Sequence, residues 1–200
     1  MVVTFAIDTY AVDASVSGAG GSVNPATQVI DYGSPASIDL IPDLGYHIAT
    51  ITDNGTPQTV ADPYVIATVT EAHNVVVTFA VDTFSVDASV SGAGGSVNPA
   101  TQTINYGDPA SINMVPDANY HVASIVDNGV PQAITNPYVI SNVTEAHNVV
   151  VTFAVDTFSV DASVSGAGGS VNPATQTIDY GDPASIDLIP DLGYHVASIT

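Results

Sequence analysis

The segment VVVTFAVDTFSVDASVSGAGGSVNPATQT begins at Val75 and again at Val149, 74 residues later, and MVVTFAIDTYAVDASVSGAGGSVNPATQV at Met1 is a third copy in the same register. Residues 75–126 and 149–200 differ at seven of 52 positions, among them Asn105/Asp179, Asn113/Asp187, Met114/Leu188 and Asn119/Gly193. A period of 74 residues exceeds the roughly 20 to 50 of solenoid units. It sits near the lower limit of a self-sufficient domain. The reading is therefore an array of small domains, with a solenoid as the second choice.

Within one repeat the punctuation is that of short strands. Phe84, Val86, Ala88 and Val90 alternate with Ser85, Asp87 and Ser89, the period of two that a half-buried strand requires. SGAGG and NPA bracket a short GSVNP strand, and TQTINYG and PASINMVPD follow around Gly107, Asp108 and Pro109. YHVASIV runs into Asp127, Asn128 and Gly129, where Asn-Gly is a strong hairpin signal because both turn positions need positive φ. ITNPYVISNV and HNVVVTFAV complete the unit. The count is about seven strands with no helical period, which predicts an all-β chain. Each 74-residue repeat is expected to form a small antiparallel β-sandwich or a partly open barrel.

The joint is legible in parity. Val75, Val77, Phe79 and Val81 are odd, whereas Phe84, Val86, Ala88 and Val90 are even. A one-residue shift turns every side chain to the other face, so the face flips at Asp82 and Thr83. The expected division is residues 1–8 as the closing strand of a preceding repeat, 9–82 and 83–156 as complete repeats, and 157–200 as an incomplete third. Linkers of two or three residues without Gly or Pro are short and stiff, and the expected object is a rod.

Composition narrows the partners. The chain has no Lys or Arg against 18 Asp and 2 Glu, a formal charge of −20. Nothing neutralises phosphates, so nucleic acid and anionic membranes are not expected partners. Lysine-dependent Schiff bases, phosphate loops and isopeptide cross-links are excluded. With no Cys there is no disulfide framework, thiolate nucleophile or Cys-ligated zinc. Apolar residues make up 46 % of the chain, too many for disorder despite the charge. No apolar run approaches the roughly 18 residues of a membrane helix. MVVTFAIDTY has neither the basic nor the apolar region of a signal peptide, so an export signal is expected outside this stretch.

The order GGSVNPATQTINYGDPASINMVPDANYHVASIVDNG followed by YVISNVTEAHNVVVTFA resembles the divergent internalin-type B-repeats that stand in tandem on bacterial surface and secreted proteins. Its most specific parts are Gly-Gly-Ser-Val-Asn-Pro, Tyr-Gly, Pro-Asp-x-x-Tyr leading into a strand, and Asn-Val-Thr-x-x-His before the last strand. Relatives usually carry lysines, and many have a Trp in the strand written here as YHVASI. The resemblance implies an all-β repeat at the cell surface or outside the cell, used as a spacer or adhesive stalk.

Candidate chemistry is sparse. His47, His121 and His195 follow a Tyr and read as exposed, with no second ligand at zinc spacing. His73 and His147 share parity with the closing strand, so their imidazoles are expected at the core edge, bonding a turn carbonyl. Ser, His and Asp all occur, but there is no GxSxG elbow and each Ser sits in a strand or turn that is copied one period on. No catalytic, cofactor or metal residue is assigned, and no enzyme is expected. SGAGGSV lacks the Lys and helix of a phosphate loop and reads as a turn whose small residues admit a neighbouring domain. Asp82 and Asp87, with Asp8/Asp13 and Asp156/Asp161, flank the joints. A joint calcium is one reading of them and a solvated acidic face the other. Tyr32, Tyr106 and Tyr180 before a Gly, and Tyr64 and Tyr138 after a Pro, read as packing anchors ahead of sugar platforms. Asn54-Gly-Thr and Asn142-Val-Thr are glycosylation sequons without a counterpart in the other repeat.

The expected function is structural: an extracellular stalk or fibre segment. The alternative is a multivalent adhesin whose repeats bind glycans or divalent cations. The third repeat lacks 30 residues, including its closing strand, while MVVTFAID at the start has no domain of its own. Copies are therefore expected to self-associate head to tail by strand complementation.

Overall fold

The computed structural model describes residues 1–200 and is all-β, with twenty strands and no helix. The first repeat contains β1 (Thr9–Val16), β2 (Gly21–Asn24), β3 (Thr27–Asp31), β4 (Ala36–Pro42), β5 (Tyr46–Asp53), β6 (Thr56–Gln58), β7 (Tyr64–Ile66) and β8 (His73–Val81). The second has the same eight: β9 (Thr83–Ser91), β10 (Gly95–Asn98), β11 (Thr101–Asn105), β12 (Ala110–Pro116), β13 (Tyr120–Asp127), β14 (Val130–Gln132), β15 (Tyr138–Ile140) and β16 (His147–Val155). The eighth strand beyond the expected seven is the three-residue return of the Asn-Gly hairpin. Asn54 and Gly55 have φ of 48° and 77°, and Asn128 and Gly129 46° and 80°, the positive pair that a tight two-residue hairpin needs.

Each complete repeat folds into a five-stranded sheet, β3-β1-β8-β5-β6 in the first, and a three-stranded sheet, β2-β4-β7. Their inner faces meet on one core. Val12 and Ala14 of β1, Ile51 of β5, and Val75 and Val77 of β8 pack with Ala36, Ile38 and Leu40 of β4 and Ile66 of β7. Pairing is antiparallel except between β1 and β8, which run parallel with Val12 opposite His73 and Val16 opposite Val77. Alternation does not reveal this. A parallel pair needs a long crossover, and here the crossover is everything from β2 to β7. The closing strand therefore lies in the middle of the larger sheet, between β1 and β5.

The face flip read from parity is present: Val75 and Val77 are fully buried on one side of Asp82, Val86 and Ala88 on the other. By contacts the chain divides into two compact units, Met1–Ser85 with Thr103–Ala110 and Ile140–Ala146, and Val86–Gln102 with Ser111–Val139 and His147–Thr200. The third repeat holds only β17 (Thr157–Asp161), β18 (Gly169–Asn172), β19 (Thr175–Asp179) and β20 (Asp187–Pro190). They form two separate pairs, β17 with β19 and β18 with β20.

The Gly-rich turn packs inside its own repeat, not against a neighbouring domain as expected. A side chain at Gly20 would fall 2.3 Å from the Tyr46 ring and one at Gly21 would fall 2.6 Å from Phe79. The second repeat copies this, with Tyr120 over Gly94 and Phe153 over Gly95.

Candidate functional site

Two polar constellations recur in each complete repeat. The first is buried. Asp53, at the end of β5, follows Ile51 on the inward parity and lies opposite Val75 of the closing strand. Its Oδ2 accepts the Tyr64 hydroxyl at 3.1 Å and the His73 Nδ1–H at 2.8 Å. In the second repeat Asp127 Oδ2 accepts Tyr138 at 3.0 Å and His147 at 2.8 Å, and its Oδ1 accepts the same imidazole at 3.0 Å. Asp53 and Asp127 are the only buried charged residues. Each draws on β5, β7 and β8 or their copies, so the cluster clamps the small sheet to the large one. Among 20 acids, these two are buried and take their hydrogen bonds from inside the fold.

This changes two expectations. His73 and His147 stand at the core edge, but they bond a carboxylate, not a turn carbonyl. Tyr64 and Tyr138 do anchor the core, and their hydroxyls are also part of the clamp. The acid itself was missed because Asp-Asn-Gly reads as turn sequence. Its shared parity with Ile51 is the signal that finds it. Chemically the arrangement is a clamp: the hydroxyl and the imidazole both donate to the carboxylate, so the imidazole does not act as base on that hydroxyl.

The clamp has an alkaline limit. Burial first, then the Asp53 charge and the hydrogen bond to it, push the Tyr64 hydroxyl from 10.0 up to about 12. Tyr138 is likewise raised to about 12, by burial, the hydrogen bond to Asp127 and its charge. A group whose folded pKa is raised contributes stability that is complete below the unfolded value and lost as pH rises through the folded one. The stability that these two tyrosines contribute is therefore expected, by circular dichroism, to be complete up to about pH 10 and lost between 10 and 12. Tyr64→Phe with Tyr138→Phe should move the alkaline midpoint upward. An unchanged midpoint would show that other tyrosines govern it.

The second constellation sits at the joint. Only Asp82 separates β8 from β9, and its backbone N–H, its carbonyl and one carboxylate oxygen are all bonded. Its N–H donates to Gly45 O at 2.8 Å, its carbonyl accepts Tyr106 N–H at 2.8 Å, and its Oδ1 accepts His47 Nδ1–H at 2.8 Å. Asp156 repeats this with Asn119 O, Tyr180 N–H and, at 3.0 Å, His121 Nδ1–H. A bulge between Ile48 and Thr50 lets Ile48 and Ile51 both face the core, and His47 turns to the outer side. The His47–Asp82 pair is exposed, as expected for His47, and worth little by itself.

No three His, Asp or Glu side chains converge at metal-ligand range. Asp82 and Asp156 are bound to histidines, Asp87 and Asp13 stand opposite Asn148 and Asn74 on the outer sheet face, and Asp161 accepts the Ser159 hydroxyl. Tyr32, Tyr106 and Tyr180 lie against Tyr10, Phe84 and Phe158 with ring centres 6.3–6.4 Å apart. Asn54, of the first sequon, is committed to the fold, donating to Ala72 O and accepting Asn74 N–H.

Comparison with curated proteins and with solved structures finds no match. The model of one protein family, the divergent InlB B-repeat domain, matches residues 11–83 and again 86–157. Those spans take in both copies of the clamp and, with the all-β sandwich repeated at 74 residues, they establish that the chain belongs to the divergent InlB B-repeat family.

Proposed function

We propose that this chain is a structural segment of a bacterial surface protein, an extracellular stalk or fibre portion whose near-identical repeats set a distance and associate end to end, and that it is not an enzyme. One observation carries the reading: both polar constellations of the first repeat return in the second at the same offset, Asp53 as Asp127, Tyr64 as Tyr138, His73 as His147, His47 as His121 and Asp82 as Asp156. Each is spent on holding a repeat or a joint together. A catalytic chain concentrates its polar groups at one unrepeated place.

The test is a series of chains with two, four and six complete repeats measured by small-angle scattering. The largest dimension is expected to grow by a constant step per repeat. A dimension that levels off would sink the stalk reading. The adhesin alternative has its own readouts, a glycan array and melting in calcium. Millimolar Ca²⁺ is expected to raise the melting temperature no more than NaCl of matched ionic strength, because screening of a −20 chain serves both.

A further inference from the structure

The turn that leads into β5 and its copy before β13 share a backbone but differ at the left-handed position. Tyr46 N–H donates to Asp43 O at 3.0 Å in the first repeat, and Tyr120 N–H donates to Asp117 O at 3.1 Å in the second. The left-handed residue is Gly45, with φ of 79°, in one and Asn119, with φ of 66°, in the other. Asn is among the side chains that enter this region most readily, so the turn survives the exchange. What changes is the space above it. A Cβ built on Gly45 would fall 2.3 Å from Cδ1, 2.5 Å from Cγ and 2.9 Å from Cε1 of Tyr106. Tyr106 follows β11 of the second repeat, so a ring of one repeat rests on a turn of the repeat before it. Asn119 carries a Cβ at that place, and Cβ contacts below 3.0 Å are essentially never made. Tyr180, the copy of Tyr106, therefore stands off from the turn beneath it.

The polar contacts at the two joints match. Gly45 O accepts Asp82 N–H and Asn119 O accepts Asp156 N–H, both at 2.8 Å, and Tyr106 N–H and Tyr180 N–H donate to Asp82 O and Asp156 O, again at 2.8 Å. Both histidine–aspartate pairs are exposed and contribute little. Each ring also keeps one pose in its own repeat, Tyr106 with its centre 6.4 Å from Phe84 and Tyr180 6.3 Å from Phe158, tilted by 53° in both. Gly45, Asp82 and Tyr106 lie in one compact unit, and Asn119, Asp156 and Tyr180 in the other. The difference between the joints is the residue beneath the ring.

We infer that the turn of one repeat is a seat for the tyrosine ring of the next, and that the residue at position 45 or 119 sets its strength: Gly45 admits Tyr106, whereas Asn119 turns Tyr180 away. A ring set down on a glycine takes one aromatic face out of water, an apolar contact that the backbone bonds at either joint do not supply. A glycine joint therefore couples its two repeats more tightly than an asparagine joint. The repeats, near-identical as they are, do not grip their successors equally. The seat acts between neighbouring repeats of one chain and is independent of any association between chains.

The test exchanges the two residues in the full chain. Gly45→Asn puts the second repeat's residue into the first joint, and Asn119→Gly does the reverse. Nitration with tetranitromethane, followed tyrosine by tyrosine in the mass spectrometer, should modify Tyr106 several-fold faster in Gly45→Asn than in the parent chain. Tyr120, which rests on Gly94 of its own repeat, should keep its rate and serves as the control. Tyr106→Ala should also lower the denaturant midpoint of the parent by more than it lowers that of Gly45→Asn, where the ring has already lost its seat. A Tyr106 nitration rate and a Tyr106→Ala loss that are the same in both backgrounds overturn the seat. Asn119→Gly adds no atom to the fold and so guards against a Gly45→Asn chain that does not fold. It should slow nitration of Tyr180, and an unchanged Tyr180 rate overturns the role given to Asn119.

Discussion

Asp127→Ala should destabilise the second repeat by about 2–6 kcal/mol, because each of two donors left unpaired in the interior costs about 1–3 kcal/mol. The carboxylate is 6 % exposed and takes donors from two strands, Tyr138 at 3.0 Å and His147 at 2.8 Å. Without it an imidazole and a hydroxyl stay in the interior with that acceptor gone. A domain of this size is held by roughly 4–11 kcal/mol in total, so much of the second repeat should unfold at neutral pH and 37 °C. Denaturant unfolding followed by tyrosine fluorescence would show this as a first transition at markedly lower denaturant. Asp53→Ala should cost less, because Asp53 Oδ1 already lacks a hydrogen-bond partner where Asp127 Oδ1 has one. Replacing the whole cluster, Asp127→Leu with His147→Leu and Tyr138→Phe, should recover most of the loss, since apolar groups of similar volume leave nothing unpaired. A single-variant loss below about 1 kcal/mol, the range of exposed pairs, would mean that water reaches the cluster and the clamp is not one.

Gly94→Ala should cost about 2–6 kcal/mol from two separable causes. Gly94 has φ of +104°, where an L-residue is strained by roughly 1–3 kcal/mol. Its Cβ would also stand 2.3 Å from Cδ1 of Tyr120, an overpacking worth a further ~1–3 kcal/mol. Gly92 is the internal control, with φ of +90° and nothing within 4 Å of an added Cβ. Gly92→Ala should therefore show the backbone cost alone. The difference between the two variants, read from denaturant midpoints, measures the glycine–tyrosine contact and should vanish in a Tyr120→Ala background. Equal costs for both in the parent chain would place the Tyr120 ring elsewhere.

The period, the strand content, the Asn-Gly hairpin and the face flip at Asp82 all follow from the order of residues. The reason is that each depends on neighbours a few positions apart: alternation decides which side of a sheet Val86 and Ala88 take, and Asn128-Gly129 carries its own φ preference. Tertiary structure alone decided which strands lie side by side. Nothing in HNVVVTFAV says that it runs parallel to the first strand of its repeat and occupies the centre of the sheet. Tertiary structure also singled out Asp53 and Asp127 from eighteen aspartates, set Tyr46 on Gly20, and brought His47 to Asp82 across 35 residues. Parity gives each side chain a face; only the register between strands distant in the chain gives it a partner.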